Sequence, residues 1–270
     1  MDAQFFNYMG RLAQYSRGGN HQSAWEERWS RHQIREKLLA YSSGKLDEFD
    51  AIFSKYLPRE LPVLEAGCGL GQLVMALSSR GYSVEGVDYA EQTVVRIREA
   101  APELKVRVGD VYNLDVPDKT YGGYISIGIF EHNPDGPFEG LREVRRVLHP
   151  QGVALISVPY LNAIRKNLLR RSSKAEGLTT ADGLSFYQYY FSRADFQEHL
   201  VKAGLEIVDI IPYGVYTGLT RDSSLGGWLD QKKFFHWRVR RGIVRLCQNS
   251  PGTVHWRFAH MIMFVCQRNG

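Results

Sequence analysis

One glycine-rich stretch of the sequence has the residue types of a ligand-binding turn. Gly67, Gly69 and Gly71 follow Glu65 in a GxGxG pattern. Glycine adopts positive φ at little steric cost and lets the backbone approach a ligand closely. The carboxylate of Glu65 would attract an ammonium or sulfonium group and would repel a pyrophosphate. The stretch therefore favours a zwitterionic or cationic ligand.

Two more carboxylates stand at the ends of predicted strands. Asp88 follows residues 83–87, and Asp110 closely follows residues 105–108. An acid at the first place can accept the hydroxyl protons of a ribose, and one at the second can accept from an exocyclic adenine amine. Each acid alone could be a surface residue or a helix cap. Three acids at successive strand ends are harder to explain in that way. The GxGxG spacing also disfavours an NAD-dependent oxidoreductase, whose fingerprint is GxGxxG.

Alternating strands and helices must position these residues. Short apolar runs predict strands over residues 63–66, 83–87, 105–108, 124–129 and 153–158, with helices starting at Leu73 and covering residues 91–100 and 140–148. Such alternation predicts a doubly wound, mostly parallel α/β sheet with helices on both faces. Residues 205–211 and 261–266 predict an antiparallel pair at the sheet edge.

We expect one domain with an added cap. Residues 1–56 would form N-terminal helices and a lid, residues 57–159 the cofactor-binding core, and residues 160–270 the rest of the sheet with inserted cap segments at 160–190 and 213–260. A site that excludes water needs a cover. The candidate lid residues, each of which could equally be a core or surface residue, are Tyr8, Tyr15, His21, Tyr187, Tyr189 and Tyr190.

Taken together, five segments resemble the successive motifs of class I S-adenosylmethionine-dependent methyltransferases. They are VLEAGCGLGQ, VEGVDYAEQTV, VRVGDVYNL, YISIGIFEH and LREVRRVLHPQGVALISVP, between about residues 61 and 159. The resemblance implies a Rossmann-like class I methyltransferase fold, S-adenosylmethionine as cofactor and S-adenosylhomocysteine as product. One departure is Gly122, where many relatives carry an aspartate before the fourth strand.

The same resemblance assigns roles to the cofactor-binding residues. The glycine turn would hold the methionine part, Asp88 the ribose, Asp110 and the Val111 amide the adenine, and residues 126–128 the amino-acid moiety. The implied cofactor-binding residues are Glu65, Ala66, Gly67, Cys68, Gly69, Gly71, Asp88, Tyr89, Asp110, Val111, Ser126, Ile127 and Gly128.

His132 and Glu131 are the candidate catalytic residues. His132 follows the fourth strand, close to where a sulfonium would lie, and an ordinary imidazole pKa of about 6.5 suits removal of a hydroxyl proton near neutrality. The alternative is a loop histidine that caps backbone groups. Glu131 would either orient His132 or face solvent.

Composition and charge narrow the class of protein. The chain has 270 residues, is 44% hydrophobic and has a net charge of +5. No secretory leader or membrane span is predicted. Three dispersed cysteines suggest neither a disulfide framework nor a metal site, and they fit a reducing cytoplasm.

Basic residues are concentrated near the C-terminus. Residues 213–270 hold nine Lys and Arg against two Asp, which indicates an anionic partner or a solvated surface. Residues 228–247 form a basic amphipathic stretch that could lie on the inner membrane surface or cap the sheet.

The sequence therefore predicts a cytoplasmic methyltransferase that acts on an oxygen, in preference to a nitrogen, of a small or lipid-linked acceptor. Two alternatives are an RNA methyltransferase and a cofactor-binding module without activity. The fourth strand lacks the Asn/Asp-Pro-Pro-Tyr type of run that resembles base-amine methyltransferases, so a nucleic-acid substrate is disfavoured. The oligomeric state is left open.

Overall fold

The computed structural model describes residues 4–16, 22–30, 33–173, 184–222 and 252–269. The strands of these ranges are β1 (Gln4–Tyr8), β2 (Arg11–Ser16), β3 (Val63–Ala66), β4 (Val84–Asp88), β5 (Val106–Val108), β6 (Tyr121–Ile127), β7 (Leu148–Pro159), β8 (Ser185–Tyr190), β9 (Leu205–Tyr213) and β10 (Met261–Arg268). Their helices are α1 (Gln22–Ser30), α2 (Ile34–Leu39), α3 (Asp50–Tyr56), α4 (Gln72–Ser79), α5 (Glu91–Ala100), α6 (Phe138–Val147), α7 (Ala163–Arg171), α8 (Arg193–Lys202), α9 (Val215–Arg221) and α10 (Gly252–Phe258), with 3-10 turns at Asp47–Phe49 and Phe130–His132.

Seven strands form the main sheet in the order β5-β4-β3-β6-β7-β10-β9. The pairs from β5 to β7 are parallel, whereas β10 runs antiparallel to both β7 and β9. The order reverses between β3 and β6, which places the carboxyl ends of β3, β4 and β6 around one crevice. The predicted doubly wound, mostly parallel sheet and its antiparallel edge are confirmed.

Helices cover both faces of this sheet, which explains why its central strands are apolar throughout. Successive side chains of a strand point to opposite faces. Leu64 and Tyr124 accordingly belong to the hydrophobic cluster on one face, and their neighbours Val63 and Ile125 belong to the cluster on the other. This arrangement holds the strand ends, where the predicted acids lie, on a rigid support.

A second sheet of three strands, in the order β1-β2-β8, corrects the prediction for the N-terminus. The helices expected within residues 1–56 are present as α1, α2 and α3, but a hairpin over residues 4–16 precedes them and turns at Met9 and Gly10, both with positive φ. Its third strand, β8, comes from residues 160–190, where the sequence shows no clear period. The pairing of Leu12 with Tyr190 spans most of the chain, so local sequence patterns do not reveal it.

A buried ion pair joins distant parts of the second half of the chain. Arg165 donates to Asp222 Oδ1 at 2.8 Å and to the carbonyl of His260 at 2.7 Å. The side-chain amide of Asn162 donates to Asp222 Oδ2 at 2.7 Å and to the Ala259 carbonyl at 3.0 Å. The chain just before residue 223 and the chain just after α10 are therefore held by the same two side chains.

Within the described ranges, no helix is long and apolar enough to cross a membrane. The basic stretch at 228–247 and His21 lie outside the described residues.

Candidate functional site

The glycine turn between β3 and α4 adopts the backbone conformation that its sequence predicts. Gly67, Gly69 and Gly71 have φ values of +78°, +51° and +73°, in the left-handed region that disfavours other residues. A Cβ on Gly67 would overlap Ile129, and one on Gly69 would lie 3.3 Å from the Trp29 ring. The backbone of the turn is thus restricted to conformations that glycine adopts, and the side chains of Ile129 and Trp29 pack directly against it.

Asp88 fastens this turn to the end of β4. Its Oδ2 accepts from the Gly69 amide at 2.8 Å and its Oδ1 accepts from the Ala90 amide at 2.9 Å. Burial raises the pKa of this carboxyl, while the amide hydrogen bonds oppose the increase. Each carboxylate oxygen can accept more than one hydrogen bond, so the side chain can also bind hydroxyl groups of a ligand.

Glu65 lies at the end of β3, under the glycine turn. Its Oε2 accepts from the Val74 amide of α4 at 3.0 Å. Burial raises the pKa of Glu65 to about 8, and the nearby carboxylate of Asp88 adds to the increase. A cation bound beside Glu65 would favour its ionised form and reverse this shift.

Asp110 and Val111 follow β5. Asp110 is exposed, and its Oδ1 accepts from the Tyr112 amide at 2.9 Å, while Val111 is buried. The carboxylate is therefore oriented by the backbone of its own loop.

These elements surround a cavity of about 740 Å³. Such a volume is typical of small-molecule and cofactor sites. Among the residues singled out from the sequence, those lining it are Glu65, Gly67, Cys68, Gly69, Asp88, Tyr89, Asp110, Val111, Ile127, Gly128 and His132.

Four predicted site residues lie behind the cavity wall. Ala66 is fully buried in the sheet, and Gly71 precedes the first turn of α4. Ser126 is also fully buried, and its hydroxyl has no hydrogen-bond partner among the described residues. Glu131 is buried next to Gly128. None of these four residues lines the cavity.

His132 is positioned by its ring contacts. Its Nδ1 lies 2.7 Å from the Tyr187 carbonyl oxygen, so this nitrogen carries the proton and the lone pair of the neutral ring is on Nε2. Burial lowers the pKa of His132 to about 4, and the positive charge of Arg28 contributes. The ordinary pKa expected from the sequence is therefore wrong, because α1 and β8 enclose the ring.

Glu131 neither faces solvent nor forms a hydrogen bond with His132. Its Oε1 is 3.9 Å from His132 Nε2, and burial raises the pKa of Glu131 to about 8. Its Oε2 has no hydrogen-bond partner among the described residues. At neutral pH this side chain is largely a neutral carboxylic acid.

Aromatic residues cover the cavity, and most of them were missed. Trp25 and Trp29 line it from α1, and Tyr41, Phe49 and Tyr112 line it from other loops and turns. The spacing of the two tryptophans, one helical turn apart, was the signal in the sequence.

The candidate lid residues that the structure describes either contact residues of the cavity wall or pack within the small sheet. Tyr187 contacts His132, with ring centroids 5.0 Å apart, and the Tyr189 hydroxyl donates to the Pro134 carbonyl at 2.8 Å. Tyr8, Tyr15 and Tyr190 pack within the small sheet. Among the described residues, no group of His, Cys, Asp and Glu is arranged to hold a metal.

Known proteins to which this chain is similar include methyltransferases. Residues 63–152 match the family model described as a methyltransferase domain. A "Probable S-adenosylmethionine-dependent methyltransferase" of Mycolicibacterium smegmatis is 31% identical over 156 residues, 58% of this chain and 55% of that protein. The chain thus spans about half the length of that relative.

Two further likenesses cover more of the chain at lower identity. A ubiquinone biosynthesis O-methyltransferase of Rickettsia akari is 24% identical over 203 residues, 73% of this chain and 75% of that protein. The methyltransferase in a complex with the Haloferax volcanii Trm112 activator has a TM-score of 0.57 and 15% identity, covering 91% of this chain and 98% of that one. The latter likeness shows the fold.

Proposed function

We propose that residues 63–152, which match a methyltransferase domain, form a class I domain that binds S-adenosylmethionine, as the name of the Mycolicibacterium smegmatis relative supports. The chain would methylate an oxygen, rather than a nitrogen, of a small or lipid-linked acceptor. The product of the cofactor would be S-adenosylhomocysteine.

One observation carries this proposal: a single cavity joins the glycine turn, the acids at three strand ends and His132. Two features of these residues suit the cofactor. Gly67 has no space for a side chain and Gly69 has little, so the backbone itself lines the cavity. The neighbouring carboxylates of Glu65 and Asp88 favour a cationic ligand. In the proposal, Asp88 binds the ribose hydroxyls, and Asp110 with the Val111 amide binds adenine.

The bound cofactor supplies an electrophilic methyl group on a sulfonium. The protein's part is to orient the acceptor and to take its proton. His132 is neutral at pH 7 because burial lowers its pKa to about 4, which leaves Nε2 unprotonated but makes it a weaker base than an ordinary imidazole. A hydroxyl needs a neighbouring base more than a neutral amine does, so the place of His132 in the cavity wall supports oxygen as the methylated atom. The Rickettsia akari relative, an O-methyltransferase by name, supports the same choice.

The cofactor roles are tested by titration calorimetry with S-adenosylmethionine and S-adenosylhomocysteine. Asp88→Ala should weaken binding at least about tenfold, since hydrogen bonds to a charged group contribute about 1.5–3 kcal/mol. Asp115→Ala, on an exposed acid outside the cavity, is the control and should bind as the wild type does. Equal binding by both variants would contradict the ribose role of Asp88.

Turnover separates an enzyme from a binding module without activity. Formation of S-adenosylhomocysteine is followed with a panel of hydroxylated acceptors, for the wild type and His132→Asn. Binding without turnover by any acceptor would favour the silent module. Turnover unaffected by the substitution would remove His132 from the mechanism.

We infer a lipid-linked acceptor or a membrane contact only from the sequence of residues 228–247, which contains both basic and aromatic residues. Sedimentation with phosphatidylglycerol vesicles, at low and high salt, tests the contact. Binding that is absent at low salt would rule it out.

A further inference from the structure

The charged groups of the cavity wall are gathered at one end of the main sheet. In the strand order β5-β4-β3-β6-β7, the first three strands end at or near Asp110, Asp88 and Glu65. All three carboxylates line the cavity, and no Lys or Arg does so among the residues that the structure describes. The proposed function assigns these same acids to the cofactor. The charge of the described wall therefore belongs to the cofactor end.

The wall becomes apolar where it continues past β3. Ile129 follows β6 and packs on Gly67, and Leu73 is the second residue of α4. Tyr41 and Phe49 line the cavity from the chain between α2 and α3. The side chains of Tyr41, Phe49, Leu73 and Ile129, which we call the apolar wall, are only half-buried. Each therefore leaves apolar surface for a ligand to cover.

Packing fixes the apolar wall on the side of the sheet away from the acids. Phe49 stacks on Phe53 with ring centroids 5.3 Å apart and contacts Tyr213 edge-on at 5.4 Å. Tyr213 ends β9, and its hydroxyl lies 2.5 Å from the Ser157 hydroxyl of β7. Because β7 follows β6 in the strand order, Phe49 is anchored beyond β6, whereas Asp110 lies at the opposite edge. The apolar wall thus extends the cavity past the cofactor end.

A charged acceptor would find no counter-ion on the apolar wall. Burying an unpaired charge is costly, whereas burying apolar surface is favourable. Arg28, whose charge acts on His132, does not line the cavity, and its Nη1 donates to the Tyr187 hydroxyl at 2.9 Å. The surface left over after the cofactor is placed therefore suits an uncharged molecule.

We propose that the acceptor is an uncharged, mainly apolar molecule that carries a hydroxyl group and packs its apolar part on Tyr41, Phe49 and Leu73. The inference rests on the proposed methyl transfer to oxygen, and it adds the chemical class of the acceptor. A charge on the apolar part of the acceptor weakens binding, whereas each added methylene group strengthens it until the apolar wall is covered.

Matched catechols measure this preference by calorimetry, with and without saturating S-adenosylhomocysteine. The substituent of 4-ethylcatechol is uncharged, that of 3,4-dihydroxyphenylacetate ends in a carboxylate, and that of dopamine ends in an ammonium. The uncharged ligand should bind at least about tenfold more tightly than either charged one, since neither charge gains a partner. From catechol to 4-methylcatechol to 4-ethylcatechol, each added carbon should raise the affinity about fourfold.

Matched variants assign the preference to the apolar wall. Leu73→Ala should weaken 4-ethylcatechol at least about threefold, because apolar contact area is lost. Leu39→Ala, the same substitution at an exposed leucine of α2, is the control and should bind as the wild type does. Tyr41→Lys adds a cation to the wall and should improve 3,4-dihydroxyphenylacetate at least about tenfold relative to 4-ethylcatechol, whereas Tyr41→Leu should keep the wild-type order. Thermal unfolding shows that each variant is folded.

Equal or tighter binding of either charged catechol by the wild type would overturn the inference. A preference that both Leu73→Ala and Tyr41→Lys leave unchanged would do so too, as would failure of every catechol to bind at millimolar concentration. A failure of the proposed function looks different. The preference for 4-ethylcatechol and its dependence on the apolar wall would then be measured, but no S-adenosylhomocysteine would form from S-adenosylmethionine and 4-ethylcatechol.

Discussion

Replacing Gly67 with alanine should both destabilise the protein and weaken cofactor binding. The added Cβ would overlap Ile129 Cδ1 and lie 2.7 Å from its Cγ1, at a φ of +78°. A left-handed conformation costs a non-glycine residue about 1–2 kcal/mol, and overpacking costs about 1–3 kcal/mol more. The free energy of unfolding should therefore fall by about 2–5 kcal/mol.

Gly81 provides a control for the backbone contribution. Its φ is +81°, but no described atom lies within 4 Å of an added Cβ. Gly81→Ala should lose only about 1–2 kcal/mol and bind S-adenosylhomocysteine normally. Gly67→Ala should bind it at least about tenfold more weakly, because the turn must move to accommodate the methyl group.

Urea unfolding and calorimetry measure the two effects. Ile129→Ala in the Gly67→Ala background should recover part of the lost stability, since it removes the overlapping atoms and the two sites couple directly. Equal stabilities for Gly67→Ala and Gly81→Ala, or unchanged cofactor affinity in Gly67→Ala, would refute the steric reasoning.

Other predictions concern protonation and buried charge. His132→Asn should lower kcat about 10²–10⁴-fold without altering the affinity for S-adenosylhomocysteine. Because the pKa of His132 is about 4, titration of this group should cause no decline in the wild-type kcat between pH 8 and 6. A drop in kcat near pH 6.5 that disappears in the variant would contradict that shift. Burial raises the pKa of Glu65 to about 8, so affinity for the cationic S-adenosylmethionine, relative to neutral S-adenosylhomocysteine, should increase from pH 6 to 9 as the carboxyl ionises. Calorimetry across that range checks this, and Glu65→Gln should flatten the ratio. Arg165→Met breaks a buried ion pair and should lower the free energy of unfolding by about 3–5 kcal/mol. Lys202→Met removes an exposed ion pair with Glu198 and should lower it by at most about 1 kcal/mol. Equal losses for the two variants in urea unfolding would contradict the importance of burial.

The sheet and its strand ends were predictable because their signals are local. The apolar run at Val63–Ala66 stops at a glycine cluster, and the run before Asp88 stops at an acid, so each strand end is visible within a few residues. The departure at Gly122 also has a local reason in the structure. A side chain there would overlap Leu61, so the backbone at this position has no space for an aspartate.

Features that depend on distant partners could not be predicted. The β1–β2 hairpin is completed by β8, through pairs such as Gln14 with Gln188. The low pKa of His132 arises from burial under α1 and β8 and from the positive charge of Arg28, while the hydrogen bond to the Tyr187 carbonyl opposes the decrease. Neither the burial nor the partner is encoded near His132, so an ordinary histidine was the reasonable expectation from sequence.

The polar network around Arg165 bears on how the chain could be re-engineered. The side-chain amide of Asn162 donates to both Asp222 and Ala259, so these two points of the chain lie side by side. Closing such a gap costs little more entropy for a long connection than for a short one. A connection of another length between these two anchors should therefore leave both ends of the Arg165 network in place.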